Sequence, residues 1–327
     1  MSTPTASTPA GDDAGHDPEP SAVGYFGPVG TFTEQALLTQ QDLRLLRHVP
    51  LPTIADVLAA TAAGDVDLGF VPIENAIEGS VTVTLDLLAF EHELLVEREV
   101  VIGVNLNLLA NRGVQLEDIK VVVSFPHASA QCRAFLATHL PGVQVLASNS
   151  TAEAARQLME HPDAHTAAIA PRRSAEVYGL DMLAEDIEDH PENATRFVVV
   201  TRDGIPAPTG HDKTSIVVFQ KADVPGSLLA ILQEFAARNI NLTKLESRPT
   251  KRALGDYCFL IDLEGHISDE LVADCLRDLK SKMADVRFLG SYPAAGAHGP
   301  EVRRAADARW QQADAWLARL RSMITGS

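Results

Sequence analysis

Between Thr214 and Leu289 the apolar residues change period from two to about 3.6 and back, in an order few folds can satisfy. Thr214–Gln220 reads as a strand, and Gly226–Arg238 as a helix with Leu228, Ile231, Leu232 and Phe235 on one face. Leu242–Arg248 and Asp256–Leu263 follow as strands, the second alternating Tyr257, Phe259, Ile261 and Leu263. Asp269–Lys280 reads as a helix with Leu271, Cys275, Leu276 and Leu279 inward, and Val286–Leu289 as a closing strand. Strand, helix, strand, strand, helix, strand is the ferredoxin-like βαββαβ order.

The preceding region reads differently. Short β-branched runs alternate with amphipathic stretches, the signature of an α/β sheet. Candidate strands are Val23–Phe26, Leu68–Ile73, Val100–Leu106, Lys120–Ser124, Gln144–Ala147, Ala167–Ala170 and Phe197–Val200. Thr31-Phe32-Thr33-Glu34 and Ser150-Thr151-Ala152-Glu153 carry the capping-box pattern of helix starts. Two lobes are expected rather than one sheet, with Val100–Leu106 and Phe197–Val200 as the segments crossing between them. Gly204, Pro206, Pro208 and Gly210 mark a linker. At 327 residues the chain exceeds what one core usually fills. The expected division is a disordered start (1–21), a two-lobed region (22–203), the linker (204–212), the βαββαβ unit (213–291) and a tail (292–327). In that tail Glu301–Met323 reads as a helix through Trp310, Ala313, Leu317 and Leu320.

A net charge of −17 argues against nucleic acid as a partner, because phosphate recognition needs a basic surface. No apolar run approaches the ~20 residues of a membrane helix, so no membrane partner is expected. The three cysteines, Cys132, Cys258 and Cys275, are far apart and form no Cys-x-x-Cys pair. Neither a disulfide framework nor a metal site is expected, and the chain reads as cytoplasmic. His161 and His165 read as loop residues rather than ligands, and His127 as a lone loop histidine.

Four segments carry candidate chemistry. Gly24, Gly27 and Gly30 lack the spacing of a dinucleotide or phosphate loop. The Gly27-Pro28-Val29-Gly30 loop before Thr31 is either an anion site at a helix start or a well-capped turn. Glu74 and Asn75 stand at a strand's C-terminal end, where open sheets bind ligands, with Gly79-Ser80 a second possible anion cradle. Glu74 can alternatively anchor a loop. Ser124 ends another strand, facing a cleft with Gln131 or capping the next helix. Asn193 and Thr195-Arg196-Phe197 enter the last apolar strand. There Thr195 is a catalytic hydroxyl or a turn residue, and Arg196 a ligand cation or a salt bridge.

Assembled, these segments resemble the prephenate dehydratase family over about Val23–Gly290. The match is carried by Tyr178-Gly179-Leu180 through Asp189 to Thr195-Arg196-Phe197-Val198, and by Leu242-Thr243-Lys244-Leu245-Glu246-Ser247-Arg248-Pro249. The resemblance implies a catalytic region similar to periplasmic binding proteins, followed by an amino-acid-binding ACT domain. It implies a cleft lined by Asn75, Ser124, Gln131 and Thr195, with Thr195 catalytic and no cofactor. Phe197 is grouped with the substrate-binding residues. Gly226, Ser227, Leu228 and Leu229, with Glu246, Ser247, Arg248 and Pro249, are implied to form a phenylalanine site across a homodimer, itself free to pair into a tetramer.

Departures from the family are Ser227 for the usual Ala, and Phe125 and His127 for the commoner His and Gln. The family's helical chorismate mutase extension is not expected. The implied substrate, prephenate, is a dianion entering an acidic protein. N–H groups near Thr31, Ser80 and Thr195, together with Arg196, are expected to supply local positive potential. Two other readings stay open: an arogenate dehydratase with Glu74 meeting the ammonium, and a non-catalytic amino-acid sensor.

Overall fold

The computed structural model describes residues 21–220, 224–250, 256–295, 315–316 and 319–323. The opening segment expected to be disordered lies almost wholly outside these, as does most of the tail helix. Lobe one comprises β1 (Ala22–Phe26), α1 (Phe32–Leu38), β2 (Arg47–Leu51), α2 (Ile54–Ala63), β3 (Leu68–Asn75), β4 (Gly79–Ser80), α3 (Thr82–Phe90) and β5 (Leu95–Gly103). Lobe two comprises β6 (Asn107–Ala110), β7 (Val121–Ser124), α4 (Pro126–Ala130), α5 (Arg133–His139), β8 (Gln144–Ala147), α6 (Thr151–Glu160), β9 (Thr166–Ala170), α7 (Arg172–Tyr178) and β10 (Asp181–Ala184). The chain then returns to lobe one as β11 (Ala194–Thr201). The βαββαβ unit follows: β12 (Asp212–Phe219), α8 (Ser227–Ala237), β13 (Leu242–Pro249), β14 (Tyr257–Glu264), α9 (Glu270–Lys282) and β15 (Asp285–Pro293).

Three sheets result, ordered β2-β1-β3-β11-β5 with β4 on β3, β10-β6-β9-β7-β8, and β13-β14-β12-β15. In the first, β11 runs antiparallel to both β3 and β5. The two lobes are therefore joined twice, by 104–106 and by 185–193. These crossings lie side by side, with Val104 N donating to Asn193 O at 2.8 Å and Ile187 N to Leu106 O at 2.8 Å. Phe197–Val200, expected to cross, instead lies within the first sheet, and Val100–Leu106 divides between β5 and the crossing. The unforeseen β2 contains Pro50, which a strand tolerates only where no ladder N–H is needed; β2 is an edge strand.

Alternation along β11 assigns its faces. Phe197 and Val199 join Val23, Tyr25 and Phe70 in one core, with the Phe70 and Phe197 rings stacked 5.4 Å apart. Val198 and Val200 turn the other way and share a core with Cys258, Leu260, Leu289 and Tyr292 of the third sheet. The βαββαβ unit is thus packed onto the back of lobe one. Its own helices α8 and α9 cover the opposite face around Ile216, Ile231, Phe259 and Cys275. At Gly290 (φ +143°) any Cβ would sit 2.4 Å from Val96 O, so the close approach of β15 to β5 requires glycine there. Among the described residues no helix is long and apolar enough to cross a membrane.

Candidate active site

Thr195 and Asn75 are register partners on β11 and β3. The Asn75 amide has one orientation. Its Oδ1 accepts from Ile77 N and Glu78 N, both at 2.9 Å, so Nδ2 must turn to Thr195. Nδ2 donates to Thr195 Oγ1 at 2.9 Å and to Ala194 O at 3.3 Å. The Thr195 oxygen is thereby an acceptor, and no described group takes its proton. An N–H aimed at this oxygen stabilises negative charge on it and strengthens the hydroxyl as a donor.

Gln131 ends α4 in lobe two, and its Oε1 accepts from Asn193 Nδ2 at 3.0 Å. Its main-chain oxygen accepts from Asp189 N at 2.6 Å, so the second crossing grips Gln131 at two points. A further link between lobes joins His127 Nδ1 and Glu78 Oε2 at 2.9 Å, the imidazole stacked on Phe125 at 5.3 Å. Glu78 is one of the two residues whose N–H holds Asn75.

Several expected ligands go elsewhere. Ser124 is fully buried and its hydroxyl donates to Ile169 O at 2.6 Å, tying β7 to β9 instead of facing the cleft. Nor does it cap the next helix, whose N-cap is Phe125. Phe197 is a core residue. Arg196 points away from Thr195, as its neighbour in an extended strand must. Its side chain is 11% exposed and meets Glu74 at 3.1 Å, Glu99 at 3.1 Å and Asp262 of β14 at 2.9 Å. Burial lowers the arginine pKa, but the charges of Asp262, Tyr292, Glu99 and Glu74 outweigh it and raise it. Arg196 is therefore spent on carboxylates, and Glu74 on Arg196 and on Lys244 at 3.5 Å.

The first anion cradle is occupied from within the chain, and the hydroxyl at the second is bonded by side chains of β13. Gly30 N donates to Glu34 Oε2 at 2.6 Å, and Glu34 pairs with Arg173 of α7 at 3.2 Å. Thr31 caps α1 by accepting from Glu34 N, so only half the capping box forms. Ser174 Oγ donates to Gly30 O at 2.7 Å and Tyr178 OH to Val29 O at 2.8 Å, closing the loop onto lobe two. Ser80 Oγ donates to Glu246 Oε2 at 2.5 Å and accepts from Lys244 Nζ at 2.7 Å.

The expected effector residues separate by face. Glu246 and Arg248 of β13 turn to lobe one, Arg248 meeting Asp86 at 2.6 Å. Ser247 and Pro249 turn the other way and are exposed. Gly226 adopts φ +89° before α8, Ser227 and Leu228 are half-buried, and Leu229 is exposed. Among the described residues no cluster of His, Cys, Asp or Glu is arranged to hold a metal ion. An apolar groove of about 510 Å³, lined by Leu136, Leu140, Val145 and Leu146 among others, lies at the β8 edge and includes none of the residues bonded around Thr195.

Fold and site define a two-lobed α/β protein with a ferredoxin-like domain fixed to its back. Family models agree: prephenate dehydratase matches residues 23–205 and the ACT domain residues 214–281. A prephenate dehydratase of Mycolicibacterium gilvum is 41% identical over 313 residues, spanning 91% of this chain and 98% of its own. The crystal structure of an Arthrobacter aurescens prephenate dehydratase in complex with L-Phe superposes with a TM-score of 0.82 at 40% identity, covering 92% of this chain and 99% of that one. A structure described as a novel type of quorum quenching acylase, GqqA, superposes with a TM-score of 0.77 at 28% identity, over 84% of this chain and 98% of its own. The chain belongs to the prephenate dehydratase family. It is a lyase that takes prephenate, by loss of carbon dioxide and water, to phenylpyruvate.

Proposed function

We propose that Thr195 donates its proton in a hydrogen bond to the departing ring hydroxyl of prephenate, with Asn75 stabilising the charge that gathers on its oxygen. Gln131 binds the substrate from the opposite lobe. The observation that carries this reading is the one-way Asn75–Thr195 bond, which leaves a hydroxyl proton without an acceptor. Aromatisation drives the reaction, so a well-placed donor at the leaving oxygen is the principal requirement. A hydrolytic role on the same fold would need a base to remove the Thr195 proton, whereas its partner is an amide N–H. Glu74, the residue noted for arogenate's ammonium, is committed to Arg196 and Lys244, which favours prephenate. Thr195→Ala is expected to lower kcat by about 10²–10³, measured as phenylpyruvate formed from prephenate. Turnover near that of the unaltered chain would overturn the assignment.

L-Phenylalanine is the proposed effector, bound where the Gly226–Leu229 turn meets β13 of a second copy. The free edge of β13 and the exposed Val224, Leu229, Leu245 and Tyr257 support pairing of two chains there. The domain limits adopted are 22–203 for catalysis and 213–291 for regulation. Three buried free thiols accord with a reducing cytoplasm.

A further inference from the structure

Asn193 stands two residues before Thr195 and extends its ladder, since Val104 N donates to Asn193 O at 2.8 Å. Its own N–H closes a turn onto His190 O at 3.1 Å, so Asn193 is where the second crossing ends and β11 begins. It is only 2% exposed, and its Nδ2 donates to Gln131 Oε1 at 3.0 Å. Its Oδ1 is buried without a hydrogen-bond partner. Turning both amides over would satisfy that oxygen but strand the Asn193 N–H groups, and buried orphan N–H groups are rarer than orphan carbonyls. The observed orientation therefore stands, and it has a chemical result. With Oε1 turned to Asn193, the Gln131 amide directs its Nε2 donors the other way, and no described group accepts them.

We propose that Asn193 is a positioning residue that fixes the polarity of the Gln131 amide, so that this residue meets the anionic substrate as a donor and never as a carbonyl. A free glutamine side chain would present either end, and its oxygen would repel a carboxylate. The Asn193 side chain is thus held at its Nδ2 end, on Gln131, while its Oδ1 is buried without a partner. The same contact ties the second crossing to lobe two, within two residues of Thr195.

This proposal rests on Gln131 binding substrate, and a double-mutant cycle on the full-length chain tests the two ideas separately. Gln131→Ala, Asn193→Ala and the double variant are compared by kcat/KM for prephenate. Asn193→Ala is expected to lose on the order of ten- to hundredfold, yet to change kcat/KM by less than about twofold when Gln131 is already Ala. If Gln131→Ala alone is silent, the substrate reading of Gln131 fails. If the two losses multiply independently, the positioning role fails while the substrate reading survives. Asn193→Asp adds a readout that a packing role would not move. Its carboxylate cannot donate to Gln131 Oε1 but its protonated form can, so kcat/KM should recover as pH falls through the carboxyl range. A flat acid limb in a folded Asn193→Asp protein, or one that persists with Gln131→Ala, overturns the proposal.

Discussion

At the scale of single residues, the proposed site rests on bond direction rather than on charge. Asn75 is the clearest case, because two backbone N–H groups dictate which end of its amide reaches Thr195. Asn75→Asp would keep the acceptor for Ile77 and Glu78 while replacing the donor with a second oxygen. That oxygen would take the Thr195 proton and add a negative charge facing a dianion. A loss of about 10²–10³ in kcat is expected with the fold intact by circular dichroism; retained activity would mean Thr195 does not act as a donor. Thr195 and Asn75 were legible from sequence as a pair of strand ends. Of the two readings open for Arg196, the ion pairs favour the salt bridge, as the strand period that places it opposite Thr195 implies. The Ser124 hydroxyl donates within its own sheet, a use that no pattern of residues distinguishes from facing a cleft.

At the scale of elements, the back of β3 and β11 is the point of interest. Asn75 and Thr195 meet on one side of the sheet, while their neighbours Glu74 and Arg196 face Lys244 and Asp262 of the ACT domain on the other. Asp262 is further bonded by Ser215, which contacts Tyr292 OH at 2.6 Å. Ion pairs thus join β13 and β14 to β3 and β11 one residue away from the proposed donor. Coupling between sites is typically worth 5–150-fold in affinity. Asp262→Asn is expected to raise the phenylalanine concentration for half-inhibition about tenfold while leaving uninhibited turnover within about twofold. An unchanged inhibition curve would send the coupling through another route. The βαββαβ elements were legible because their periods alternate over long segments. The short edge strands β2 and β10 were not, since half-exposed runs such as Arg47–Leu51 carry little apolar signal.

At the scale of the whole molecule, three cores hold buried thiols. Burial pushes Cys132 and Cys275 up to about 12 and Cys258 up to about 11. In the unfolded chain these thiols ionise near pH 8.5. The folded state therefore keeps its full contribution below that pH and loses it as pH climbs towards the raised values. The denaturant midpoint should be lower at pH 10 than at pH 7, and Ellman's reagent should label the native chain only after unfolding. Rapid labelling of the native protein would contradict the packing described.

Val198 and Val200 on one side, and Cys258, Leu260, Leu289 and Tyr292 on the other, form a single seam. A graft of some other sensor in place of this one would have to reproduce that apolar face residue for residue. The outer edge of the sensor, where Leu229, Leu245 and Ser247 meet solvent, carries no such constraint from lobe one. The inner face is bound to the enzyme's own folding.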